Sequence, residues 1–155
     1  MKQVLFVCLG NICRSPLAQG IFERKIKEQK LHNIYNADSA GTSGWHQGEK
    51  PHSGSRKKAI EYNLNLEKQR SRAVHLKDKD IFDYIVAMDS SNYSNLTREF
   101  HVPKEKLILM RHFDHKGKDL DVPDPWGQGE DSFEEVYNIL DRSMDSFIEW
   151  LKERN

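Results

Sequence analysis

Surplus charge of either sign is missing from this chain: across 155 residues, 24 Lys and Arg face 24 Asp and Glu. That balance excludes the broad basic footprint of a general nucleic-acid binder, so any positive field must be local. Long apolar runs are lacking too. The N-terminal one, Val4 to Leu9, has six residues, against about 18 for a bilayer span, and it is too short for the core of a signal peptide. No membrane partner is expected, and the expected compartment is the cytoplasm. Cysteine is scarce, with only Cys8 and Cys13, five positions apart. A pair that close in a reducing compartment is a clue to chemistry rather than to a disulfide framework. None is needed for folding, since a chain of this length buries about 70% of its unfolded surface. With no repeat, low-complexity tract or long linker, residues 1–155 are expected to form a single domain.

What is present is a β/α alternation. Val4-Leu5-Phe6-Val7 reads as a buried strand, stopped by the turn residues Gly10 and Asn11. Ser15-Pro16 offers an N-cap and a first-turn proline, and Leu17, Ala18, Ile21, Phe22 and Ile26 predict a helix over 16–30. A second strand is expected over 34–39, followed by a glycine-containing loop between Ser39 and Ser55 and a short helix over 57–63 around Ala59 and Ile60. Residues 83–88 repeat the first strand's pattern, with Asp89, Ser90 and Ser91 as caps for a helix carrying Tyr93, Leu96 and Phe100. Leu107 to Met110 is the fourth strand, and Arg111 to Glu130 reads as a surface loop. The capping-box spacing Ser132-Phe133-Glu134-Glu135 opens a last helix whose apolar face runs from Phe133 to Leu151. The expected fold is α/β, an open four-stranded parallel sheet with helices on both faces, whose ligand site lies at the carboxyl ends of the strands.

The residues after the first strand are Cys8-Leu9-Gly10-Asn11-Ile12-Cys13-Arg14-Ser15-Pro16. A loop between a strand end and a helix start can turn several backbone N–H groups inward beside the helix's positive end, which makes an anion cradle. Arg14 adds a planar fork for two phosphate oxygens. A thiol at Cys8 would share that field, where the ordinary value of about 8.5 can fall to about 3.5–7.5, leaving a thiolate. The Cys-x5-Arg spacing alone arises by chance in about one such chain in ten, so its context carries the weight. The bland alternative makes Cys8 a buried small hydrophobe and Arg14 a solvated helix residue. A dinucleotide site is disfavoured, because no G-x-G-x-x-G stands at this turn. A thiolate attacking phosphorus also needs an acid for the leaving oxygen. Asp119, Asp121 and Asp124 are candidates, and Asp124 is preferred between Pro123 and Pro125, with a turn cap before the last helix as its alternative role. Loop aromatics such as Trp45 and Trp126 would favour a flat phenyl ring, unless they serve as packing residues.

The nine-residue loop resembles that of the low molecular weight protein tyrosine phosphatases, C-x-G-N-x-C-R-S-P, position for position. The resemblance extends to Asp38 through Trp45, to Asp83–Asp89 with Asn92, and to Val122-Pro123-Asp124-Pro125. It implies Cys8 as nucleophile, Arg14 as phosphate holder, Ser15 as a stabiliser of the thiolate and Asp124 as general acid and base. It also implies a left-handed Asn11 supported by Ser39, an aromatic rim at Trp45 and Trp126, and a phosphate-binding loop completed by Leu9, Gly10, Ile12 and Cys13. In such a family the second cysteine can form a reversible disulfide with the nucleophile, a role that would fall to Cys13 or coexist with plain packing.

The expected substrates are phosphotyrosine-containing proteins or peptides and small aryl phosphates, and the expected enzyme is a monomer with no cofactor and no metal. His112 and His115 lack a third ligand and read as solvated loop residues. Two departures stand out. Trp126 is followed by Gly127 where many relatives have a second aromatic, and Gln69 stands where many have histidine before Arg70-Ser71-Arg72, a region given no catalytic role. Arsenate reduction is disfavoured for want of further cysteines. Arginine phosphatases typically have threonine where Ile12 stands, so Ile12 favours tyrosine. A phosphopeptide-binding module would need neither the thiol nor the acid.

Overall fold

Period-two alternation along β1 (Lys2–Cys8) sets the architecture, because its two sides enter two separate cores. The computed structural model describes residues 1–154. Beside β1 lie β2 (Tyr35–Gly41) and β3 (Tyr84–Ala87), and β4 (Leu107–Leu109) extends the sheet in the order β2-β1-β3-β4, all parallel. The register runs from Lys2 opposite Tyr35 to Cys8 opposite Gly41, and from Val4 opposite Tyr84 to Val7 opposite Ala87. Chain order reverses between β1 and β3, and loops diverge there to leave a crevice.

On one face Val4, Phe6, Cys8, Val86 and Met88 pack against α1 (Arg14–Glu28) and α5 (Glu130–Glu153). Phe6, Phe22 and Phe147 join sheet, α1 and α5 with ring centroids 5.6–6.2 Å apart. α2 (Ser53–Glu61) packs on this side, against α1 and α5. On the other face Leu5, Val7, Ile85 and Ala87 meet Val74, Phe82, Leu96 and Val102 under α3 (Asp78–Ile81) and α4 (Ser90–Arg98). The expected open parallel sheet, covered on both faces, is the one observed. Among the described residues no helix is long and apolar enough to cross a membrane.

Several boundaries differ from expectation for local reasons. α1 starts at Arg14, so Ser15 lies inside the first turn and does not cap it; its hydroxyl is engaged with Cys8 and Asn11 instead. Pro16 still sits where no intrahelical donor is needed. α2 begins at Ser53 because His52 Nδ1 accepts from the Gly54 N–H at 3.0 Å, and of its expected anchors only Ala59 is buried while Ile60 is exposed. α5 begins at Glu130 with Gly129 as its cap residue, so the Ser132–Glu135 capping box is not used; Glu130 and Asp131 complement the helix dipole there. β2 reaches Gly41 and tolerates Asn36 and Asp38 because it is an edge strand, where they meet Gln3 and Arg72. Segment 111–129 is irregular after a 3-10 turn at Met110–Phe113, but it is not wholly a surface loop. Asp114 is fully buried and accepts from Arg111 Nε (2.9 Å), Arg142 Nε (2.8 Å) and the Lys116 N–H (3.0 Å).

Candidate active site

Loop 8–13 is shaped by where its carbonyls go. The Cys8 carbonyl accepts from Thr42 N (2.9 Å), Leu9 from Ser43 N (3.0 Å), Ile12 from His52 N (2.8 Å), Gly10 from Ser71 Oγ (2.9 Å) and Cys13 from Ser55 Oγ (2.9 Å). Because a trans peptide holds each N–H opposite the preceding C=O, tying these carbonyls outward turns the N–H groups of Leu9, Gly10, Asn11, Cys13 and Arg14 inward. The N–H groups of residues 9–13 donate to no acceptor among the described residues. Gly41 allows the loop this close: a Cβ there would lie 2.6 Å from the Leu9 carbonyl oxygen and 3.1 Å from the Asn11 nitrogen.

Asn11 turns the loop with φ of 58°, a left-handed backbone that asparagine tolerates better than most residues. Its Nδ2 donates to Ser15 Oγ at 2.8 Å and to Ser39 Oγ at 3.0 Å, and its Oδ1 accepts from the Arg72 N–H at 3.0 Å. Ser15 Oγ lies 3.1 Å from Cys8 Sγ. Since the hydroxyl oxygen already accepts from Asn11, its own proton is free to point at the sulfur. Burial, together with the charges of Cys8 and Asp124, pushes the Cys13 thiol up to about 12, and Arg14 offsets this only in part. The two cysteines are both buried and unbonded to each other.

Arg14 is 2% exposed. One arm, Nη1, donates to Asp89 Oδ2 (2.7 Å) and to the Val122 carbonyl (2.9 Å). Its Nε has no partner and Nη2 has only Asp124 Oδ2 at 3.7 Å, so the Nε–Nη2 edge is the one presented to a ligand. Burial works against the charged form of this guanidinium, but Cys8, Asp89 and Asp124 outweigh it and push its value up. A cleft of about 230 Å³ has Cys8, Arg14 and Asp124 in its lining, with His46, Trp45 and Trp126 beside them. Trp45 is 80% and Trp126 59% exposed, which disposes of a packing role for either. Of the three candidate acids only Asp124 lines this cleft; Asp119 pairs with His112 Nδ1 at 2.9 Å, and Asp121 accepts from Ser90 N at 2.8 Å.

Sequence reasoning missed Ser55 and Ser71, which tie loop carbonyls, and the guanidinium support from Asp89, noticed only as the cap of α4. It also passed over Gln69, whose Nε2 donates to the Pro16 carbonyl at 3.2 Å and whose Oε1 accepts from Ser39 at 3.4 Å. Serines scattered among loops carry no local signal for such contacts. Among the described residues no group of three or more His, Cys, Asp or Glu side chains is placed to hold a metal ion.

A family model described as low molecular weight phosphotyrosine protein phosphatase matches residues 3–155. The low molecular weight protein-tyrosine-phosphatase PtpA of Staphylococcus aureus is 38% identical over 151 residues, 97% of this chain and 94% of that protein. The crystal structure of a protein tyrosine phosphatase from Entamoeba histolytica superposes with a TM-score of 0.91 at 37% identity, covering 99% of this chain and 98% of that one. A drosophila arginine phosphatase superposes with a TM-score of 0.89 at 30% identity, covering 98% of each chain.

Proposed function

The chain belongs to the low molecular weight phosphotyrosine protein phosphatase family, and from that premise we propose how its residues divide the hydrolysis of a phosphotyrosine monoester. It is a metal-independent protein-tyrosine phosphatase acting on phosphoproteins. Cys8, as the thiolate, attacks phosphorus: an S–P bond forms, the P–O bond to the tyrosyl oxygen breaks, and Asp124 delivers its proton to that oxygen. Water then attacks the cysteinyl-phosphate, giving its proton to the Asp124 carboxylate, and the S–P bond breaks to release inorganic phosphate and the Cys8 thiolate. The inward N–H groups of the loop and the Nε–Nη2 edge of Arg14 hold the equatorial oxygens through both steps. The Ser15 hydroxyl steadies the sulfur as attacking and leaving group. Cys13 stays a thiol with its value near 12, so attack falls to Cys8. Trp45 and Trp126 flank the tyrosyl ring, and Gly127 leaves Trp126 as the single aromatic after the acid.

The observation that carries this reading is Cys8 Sγ 3.1 Å from Ser15 Oγ in the same cleft as Arg14 and Asp124. Its test is turnover of an aryl phosphate, a phosphotyrosine peptide and a phosphoarginine peptide by wild type and Cys8→Ser. Wild type is expected to hydrolyse the first two, and Cys8→Ser to lose more than about 10⁴-fold in kcat. Wild-type turnover by Cys8→Ser would rule out the covalent route. A preference for phosphoarginine would replace the substrate assignment, despite Ile12 in the cleft lining.

A further inference from the structure

Residues 62–77 run from α2 to α3 with no helix and only one bridge to the sheet, Ala73 beside Gly41. Yet this segment grips the phosphate loop at three places: Gln69 Nε2 on the Pro16 carbonyl, Ser71 Oγ on the Gly10 carbonyl and the Arg72 N–H on Asn11 Oδ1. An irregular segment holds such a position only if something anchors it. Part of the anchor is backbone, with the Gly41 N–H donating to the Arg72 carbonyl and the Ser71 N–H to the Glu49 carbonyl, each at 2.8 Å, and the side-chain part is the Arg72 guanidinium. Its Nη1 and Nη2 reach Asp78 at 3.0 and 3.4 Å, Nε and Nη2 reach Asp38 at 3.2 and 3.1 Å, and Nη1 also meets the Ala73 carbonyl at 3.2 Å. Asp78 is 3% exposed and is fixed in turn by the His75 N–H at 2.8 Å.

We propose that Arg72, locked by Asp78 and Asp38, is a positioning residue for Cys8 that acts through its own backbone amide. The amide holds the Asn11 side chain in one orientation, Asn11 Nδ2 then occupies the Ser15 oxygen, and the Ser15 proton is left for the sulfur. Releasing the guanidinium lets the amide drift and the hydroxyl turn away. Arg72 touches no substrate, so its loss acts on the thiolate and on kcat rather than on substrate binding.

The experiment follows the pH dependence of Cys8 alkylation by iodoacetamide, together with kcat and KM for an aryl phosphate and the Tm. The proteins are wild type, Arg72→Met, Arg72→Lys and Asp38→Asn. Cys13, Arg14 and Asp124, with His46 across the cleft, are the titratable groups facing Cys8, and these variants leave all four in place. Arg72→Met is expected to raise the alkylation midpoint by about half a pH unit or more and to lower kcat by about 10-fold to 100-fold, with KM nearly unchanged. Arg72→Lys recovers part of both, since a point charge replaces the fork. A folded Arg72→Met with wild-type midpoint and kcat overturns the proposal. If that variant does not fold, Asp38→Asn removes only the more exposed arm; a smaller shift in the same direction supports the proposal and no shift overturns it. The turnover measurement rests on the phosphatase reading above, whereas the alkylation midpoint does not. A wild type inactive on aryl phosphate would therefore sink that reading while leaving the clamp to be decided by alkylation.

Discussion

The two segments that bring chemistry to the cleft are held in opposite ways. In residues 8–13 five carbonyls are tied to four other parts of the chain, and Cys8, Asn11, Ile12 and Cys13 are each under 7% exposed. The acid segment is anchored just before Pro123, where Val122 donates to the Met88 carbonyl at 2.9 Å and accepts from Arg14. Beyond it, Pro125 is buried and Asp124 Oδ2 comes within 3.7 Å of Arg14 Nη2, while the hydrogen bonds from Trp126 N to Asp124 Oδ1 and from Gln128 N to the Pro125 carbonyl stay within the segment itself. The next hold is Glu130, paired with Lys57 at 3.0 Å. The contrast suits the proposed tasks. An oxyanion cradle gains from donors that need not reorganise, while an acid that protonates one group and deprotonates another works from the wet side of the cleft.

Asp124→Ala strikes the loosely held side and should lower kcat by about 10²-fold to 10⁴-fold. The deficit should shrink for an aryl phosphate whose phenol is strongly acidic, because that leaving group needs little proton. Equal deficits across a series of phenols, measured as kcat, would show that Asp124 does something other than supply the proton.

Asp114→Asn tests a second anchor of the acid segment, where Arg111, held by Asp114, donates from Nη1 to the Asp121 carbonyl at 2.9 Å. Burial by itself would raise this carboxyl, but bonds from Arg142, the Lys116 N–H and Arg111 outweigh it and hold it down to about 2. The folded value lies below the ordinary one, so the stabilisation is complete above about pH 4 and is lost as pH falls through about 2. Urea unfolding should show Asp114→Asn less stable by about 3–5 kcal/mol near neutrality, where it leaves the buried Arg111 and the half-buried Arg142 short of a charge partner. Wild type should lose about 2 kcal/mol of that advantage on acidification. A flat difference across this range would place the anchor elsewhere.

Ser71→Ala makes the smallest change, leaving the Gly10 carbonyl untied. It should cost about 1 kcal/mol in urea unfolding and a few-fold in kcat. Loss of stability with kcat untouched would mean that four ties shape the cradle as well as five.

The loop was legible because its donors, arginine and thiol are contiguous: nine residues at a strand-to-helix turn carry their own geometry. Strand identity and the long apolar face of α5 were legible for the same reason, as periodicity is a local property. Helix starts were less so. Ser15 and Ser132 have capping chemistry but lie inside their helices, Ser15 drawn to Cys8 and the cap of α5 moved three residues earlier, to Gly129, with Glu130 beside Lys57. Ser55, Ser71 and Asp89 lie 42, 61 and 75 positions from their partners Cys13, Gly10 and Arg14, and no spacing rule spans such gaps.

The sequence by itself determined the sheet, the kind of reaction and the identity of the loop, since each depends on residues that are neighbours along the chain. Only the tertiary structure decided which aspartate lines the cleft with Cys8, which edge of Arg14 is left without a hydrogen bond and what holds Asn11. Those outcomes depend on which distant donors and acceptors satisfy one another when the sheet closes. The neutral overall charge resolves the same way: the folded chain gathers Arg14 and the inward N–H groups of one loop into a single cleft, the proposed site for a phosphate dianion.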